Sequence, residues 1–185
     1  MSTSVNKASL TPLNALRVSQ YQIPRHGRIP NTSIQHKPLL VYHSAFVPDT
    51  HLTAVAVEAH IASVGLYSAQ WQYTMYAKNH FHSTTHELLV VFRGSARVCF
   101  GGEDNPGRVE LDVSKGDAML VPAGVAHRLL EQGEDGFEMV GSYPVGATWD
   151  LCYGTEGRNV EAHIAALGWL NKDPLYGDDG PALHV

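Results

Sequence analysis

The spacing of apolar positions divides the chain into an irregular start, a helical stretch, a run of strands and a mixed end. Residues 1–48 are polar and broken by Pro12, Pro24, Pro30, Pro38 and Pro48, each of which removes a backbone donor and fixes φ. This predicts an arm with short extended pieces such as Leu39-Leu40-Val41-Tyr42, pieces that can also add strands to a neighbouring copy's sheet. Pro48-Asp49-Thr50 offers a helix start, HLTAVAVEAHIASV follows, and Gly65 offers a C-terminal cap, so a helix is expected over about 50–64. From Gln70 to Tyr143 the period becomes that of strands. WQYTMYA alternates Trp71, Tyr73 and Met75 with other residues, and ELLVVFRGSARVCFGG reads as two strands bent at Arg93-Gly94-Ser95. Val109 to Val113, Ala118 to Val121, His127 to Leu130 and Phe137 to Tyr143 supply further strands, with turns at Lys115-Gly116-Asp117 and Pro122-Ala123-Gly124. Asn159 caps a short helix, VEAHIAAL, closed by Gly168.

Short strands with turn signals every ~8–12 residues indicate a sandwich or barrel, so the fold class expected is all-β with a few flanking helices. The 185 residues fit one domain: an arm (1–48), a barrel with its preceding helix (49–145), and a helix and tail packed on the barrel (146–185).

Composition narrows the partners. A formal net charge of -5, with no basic patch, argues against nucleic acid. No apolar stretch approaches the ~20 residues that cross a bilayer, and the start lacks the apolar core of a secretion signal, so a cytoplasmic protein without a membrane partner is expected. The 2 cysteines, Cys99 and Cys152, cannot build a disulfide framework. The count that stands out is 11 histidines against 13 lysines and arginines together.

Three of those histidines fall in Asn79-His80-Phe81-His82-Ser83-Thr84-Thr85-His86-Glu87. On a strand His80 and His82 project from one face, and a turn at Ser83-Thr84-Thr85 can bring Glu87 or His86 opposite them. Adjacent strand residues face opposite sides, so one of these two ligates; Glu87 is the choice, with His86 an outer or surface residue. Imidazole and carboxylate are the ligands of zinc, iron, nickel and manganese sites. His127, after the turns at Gly116 and Gly124, is the fourth candidate. The remaining histidines have no ligand spacing among themselves. Tyr73, Tyr76, Arg93 and Met119 are candidates to line a pocket, whereas Trp149, Tyr153, Trp169 and Tyr176 read as packing against the barrel.

The two stretches resemble the paired motifs of the cupin superfamily. His80, His82, Glu87 and Gly94 match the first motif, HxH followed by a spaced glutamate and glycine; Gly116, Pro122, Gly124 and His127 match the second. Two positions depart from it: Thr74 replaces a glycine ahead of the first histidine, and Glu131 replaces an asparagine often found after the last. The runs HFHSTTHELLVVFRGSARVCFGG and GDAMLVPAGVAHR are similar to a group of small bacterial single-domain cupins. The resemblance implies a double-stranded β-helix, or jelly-roll barrel, with one divalent metal (iron, manganese, nickel or zinc) on His80, His82, Glu87 and His127. It also implies a homodimer. A metal-dependent enzyme acting on a small oxygenated molecule, of dioxygenase, decarboxylase or isomerase type, is the leading expectation. A non-enzymatic sensor or carrier of a small ligand or metal is the alternative.

Overall fold

The structure, a computed structural model, describes residues 8–156 and 159–185; the first residues of the expected arm and Gly157-Arg158 lie outside it. Seven strands make one antiparallel sheet: β1 (Arg17–Tyr21), β2 (Leu39–His43), β3 (Tyr67–Tyr73), β4 (Glu87–Phe100), β5 (Val109–Ser114), β6 (Ala118–Val121) and β7 (His127–Pro144). Their order is β1-β2-β6-β4-β7-β3, with β5 paired to β4. β4 lies against β7 along most of its length. Its other edge pairs first with β6, through Glu87 to Val90, and then with β5, through Ser95 to Phe100. This is an all-β jelly-roll barrel flanked by α1 (Ala54–Val64) and α2 (Val160–Ala166).

Alternation along the strands sorts the core into two faces. Leu40, Tyr42, Leu88, Val90, Ala118, Leu120 and Val140 pack outward beneath α1 and the C-terminal tail. Leu39, Val41, Leu89, Val91, Met119, Val121 and Met139 fill the barrel interior. Strands buried on both faces read as continuous apolar runs, which is why LLVY, LLVV and AMLV show no alternation in the sequence. Each valine, leucine or methionine among them taken fully out of water contributes about 1.5–3 kcal/mol.

Several sequence expectations shift. The arm is spent on this chain's own barrel, because β1 and β2 extend the sheet through β6. α1 starts at Ala54 rather than near residue 50: Asp49 accepts from the N–H groups of His51 and Leu52 to close a turn, and Thr53 Oγ1 then caps Ala56. Its expected stop is present, with Gly65 at φ 77° donating to the Ile61 carbonyl. Asn159 caps α2 as expected, but the helix ends one residue sooner, at Ala166, with Leu167 and not Gly168 as its C-cap. β3 stops at Tyr73, so Met75 lies outside it.

The two strands expected on either side of Arg93-Gly94-Ser95 are one, β4, with register shifts between Val91 and Arg93 and between Gly94 and Ala96. Gly94 is required there: at φ +69° a Cβ would sit 1.7 Å from the Gly136 carbonyl oxygen on β7. The last two expected strands are likewise joined as β7.

Candidate metal centre

His80 and His82 do not sit on a regular strand. They lie on a short extended piece clamped from both sides. His80 exchanges both backbone hydrogen bonds with His127 (3.2 and 2.8 Å), Phe81 does the same with Cys152 (2.9 and 2.9 Å), and the His82 carbonyl accepts from Gly124 N–H (2.8 Å). The alternation expected of a strand therefore survives, with Phe81 packed among Ala123, Ala126 and Ile164. Asn31, from the arm, braces the turn before His127. Its Oδ1 accepts from Ala126 N–H (3.2 Å), and its Nδ2 donates to the carbonyls of Pro24 and Gly101 (2.8 and 3.0 Å).

The result is a buried group in which His80, His82 and His127 each bring one ligand atom within 4.8 Å of the others. Their tautomers follow from their partners. Nδ1 of His80 faces the Lys78 carbonyl (2.9 Å), that of His127 the Val125 carbonyl (3.1 Å), and that of His82 the Asp150 carbonyl. A carbonyl oxygen only accepts, so each Nδ1 carries the proton and each Nε2 is left with a lone pair. Asp150 is itself anchored, its carboxylate accepting from Ser83 N–H (2.7 Å) and Ser83 Oγ (2.6 Å).

Glu87 opens β4 with Oε2 at 3.4 Å from His82 Nε2 and 3.2 Å from His127 Nε2. Its Oε1 accepts from the Tyr143 hydroxyl (2.5 Å), which in turn accepts from Trp71 Nε1 (3.0 Å). His82 Nε2 and Glu87 Oε2 are buried without a hydrogen-bond partner. A lone pair and a carboxylate oxygen facing each other away from water call for a positive centre between them. The donor set, three neutral imidazole nitrogens and one carboxylate oxygen, fits a first-row divalent ion.

A family model described as Cupin domain matches residues 73–142. Over 167 residues the chain is 34% identical to the uncharacterized protein YjlB of Bacillus subtilis (strain 168), covering 89% of this chain and 94% of that protein. The chain is a cupin. Among solved structures it is similar to an 11S globulin from Wrightia tinctoria (14% identity, TM-score 0.35), covering 80% of this chain and 29% of that one. It is also similar to a mutant of Bacillus subtilis oxalate decarboxylase OxdC (11% identity, TM-score 0.32), covering 69% of this chain and 25% of that one. The cupin thus spans less than a third of the length of either.

Burial would raise the Glu87 carboxyl, but the His82 and His127 rings that face it hold it well below the usual carboxylate range. His82 is also buried, and Glu87 and the Asp150 carbonyl outweigh that burial to hold it above its ordinary value. His80 is pushed down to about 3 by burial and by His127, so it is neutral at neutral pH, as a ligand must be. Burial and Glu87 push Tyr143 far up, which keeps it a hydrogen-bond donor.

His86 is turned away from this cupin's centre. Its Nδ1 accepts from Ala123 N–H (3.0 Å) and its Nε2 donates to the Gly168 carbonyl (3.1 Å), so both ring nitrogens are used. Burial lowers its pKa. Glu131 is exposed, and the three backbone carbonyls on Nδ1 orient the imidazoles without the asparagine that Glu131 replaces.

The four residues line a cavity of about 430 Å³ together with Trp71, Met139, Tyr143 and Trp149. Of the four candidates to line it, Tyr73 and Tyr76 do, and Thr74, not among those candidates, does so as well. Arg93 instead pairs with Glu138 at the surface (3.1 Å), and Met119 is buried in the barrel core. Trp149, expected to pack on the barrel, stacks on Tyr143 (5.9 Å between ring centres) and forms part of the cavity wall. Tyr143 carried a signal in the sequence, sharing strand parity with Phe137 and Met139. Asp150 and Trp149 carried none, because only the fold brings their loop to His82.

Proposed function

We propose that this cupin holds one divalent transition metal ion on the Nε2 atoms of His80, His82 and His127 and on Glu87 Oε2. On that reading it is a metal-dependent enzyme acting on a small oxygenated organic molecule, of the dioxygenase, decarboxylase or isomerase type. The observation that carries the reading is that all three imidazoles face backbone carbonyls through Nδ1, leaving three Nε2 lone pairs converging beside an unpartnered carboxylate oxygen. When bound, iron, manganese, nickel or zinc supplies a Lewis acid with one or two positions open to a ligand oxygen.

The chain's own groups do the rest. The Tyr143 hydroxyl orients Glu87, and Trp71 orients Tyr143. The apolar wall formed by Leu89, Met139 and Trp149 keeps bulk water off, which strengthens electrostatic interactions at the centre.

Elemental analysis of protein purified without an affinity tag tests this. About one metal per chain is expected in the native protein and none in His82→Ala. A native protein that takes up no metal, or a His82→Ala variant that keeps both its metal and its turnover, refutes the proposal. The homodimer and the cytoplasmic setting rest on the resemblance to small cupins and on the sequence. Light scattering that returns the mass of a single 20.2 kDa chain refutes the dimer.

A further inference from the structure

The walls of the cavity narrow the class of molecule that reaches the metal. Besides Tyr73 and Tyr76, three aromatic rings stand around it: Trp71, Tyr143 and Trp149. They are held in place. Tyr143 is pinned by Glu87 and Trp71, and Trp149 lies nearly parallel to it, at 19° between ring planes. The Trp149 loop is tied down on both sides, by Thr84 Oγ1 on the Thr148 carbonyl (2.8 Å) and by Ser83 on Asp150. Met75 and Met139 complete the wall with polarisable, adaptable side chains that suit aromatic surfaces. At the rim, Tyr76 (47% exposed) and Trp149 (38%) leave ring surface open to water, surface that an entering apolar body would cover.

Charge sets the second limit. A divalent ion with the Glu87 carboxylate leaves one net positive charge at the centre, enough to balance one anionic oxygen. A dicarboxylate or a phosphate brings more negative charge than that and needs cations or several donors to hold it. Among the described residues no lysine or arginine lines the cavity. Lys78 sits over the ring of Tyr153, with Nζ 3.7 Å from its centre, and is absent from the cavity wall.

On the metal reading above, on which this rests, we propose that the cavity takes a flat, largely apolar molecule of one or two rings that presents a single ionisable enol or phenol oxygen to the metal. The ring lies against the Tyr143–Trp149 wall, and the oxygen takes an open position beside Glu87.

The test is calorimetric titration of the zinc-loaded full chain, with its zinc content measured first. The probes are 3-hydroxychromone, oxalate and glucose 6-phosphate. 3-Hydroxychromone should bind about tenfold or more tighter than either anion. Trp149→Ala, compared at equal zinc occupancy, should weaken it about tenfold, and Trp149→Phe should restore most of the loss. Zinc-loaded protein that prefers oxalate or glucose 6-phosphate, or that binds 3-hydroxychromone equally well in Trp149→Ala, overturns the ligand class alone. Protein that takes up no zinc overturns the metal reading and the ligand class with it.

Discussion

Replacing Tyr143 by phenylalanine removes one oxygen atom and leaves the ring, so no cavity of any size opens. That oxygen serves one buried and one half-buried group. It donates to Glu87 Oε1 at 2.5 Å and accepts from Trp71 Nε1 at 3.0 Å. Without it, an ionised carboxylate that is 2% exposed loses the hydroxyl that orients it, and an indole N–H loses its acceptor. A hydrogen bond to a charged group contributes about 1.5–3 kcal/mol, so the metal-free protein should lose about 2 kcal/mol. For a chain of this size that corresponds to about 4–8 °C in Tm. The same hydroxyl aims Glu87 at the centre, and loss of such an orienting partner typically lowers metal affinity about 10- to 100-fold. Urea unfolding in the presence of a chelator measures the first effect, and competition for zinc against a calibrated chelator measures the second. If Tyr143→Phe matches the native protein in both, Tyr143 does not hold Glu87, and the link from Trp71 through Tyr143 to the centre is wrong.

Three further outcomes follow from the same geometry. His86→Ala should keep its metal yet lose about 1–3 kcal/mol in urea unfolding, because Ala123 N–H and the Gly168 carbonyl lose their buried partner; loss of metal would make His86 a ligand. Gly94→Ala should be poorly soluble or unfold at markedly lower urea, since its Cβ meets the Gly136 carbonyl at 1.7 Å and φ +69° disfavours any side chain; an unchanged midpoint would refute the crossing of β4 and β7 there. His80, pushed down to about 3, and His86, also lowered, bind protons in the unfolded chain below the ordinary 6.5 that they refuse when folded. Unfolding of the metal-free protein should therefore become easier as pH falls from about 6.5 toward about 4.5, and His80→Gln should flatten that slope. The stabilisation from His82 is fully present throughout that window, because its raised value lies above it and is passed only as pH climbs further. A urea midpoint that rises on acidification refutes this assignment.

What could be read along the chain was whatever is local. Ligand types, their spacing and the turn residues between them lie within short stretches, so His80, His82, Glu87 and His127 could be singled out from neighbours alone. Caps are local too: Gly65 and Asn159 act where they were expected. Strand parity, a two-residue rule, placed Phe81 on the side away from its flanking histidines. Boundaries fared less well. Asp49 and Thr53 both offer capping oxygens, and only packing of Ala54, Ala56 and Val57 against the sheet selects the second.

The sequence by itself determined the all-β class and picked out the four residues proposed to hold the metal, because backbone periodicity and ligand spacing are written within a few positions of each other. Tertiary structure alone decided the rest. Whether His86 or Glu87 faces the centre depends on Ala123 and Gly168, which offer His86 partners on the opposite side. The imidazole tautomers depend on carbonyls of Lys78, Val125 and Asp150. The character of the cavity depends on Trp71 in β3 meeting Tyr143 and Trp149, at and just beyond the end of β7, two segments far apart in the chain. Groups far apart in the chain meet only when burial of the two sheet faces closes the barrel, and no local pattern encodes which of them then share a hydrogen bond.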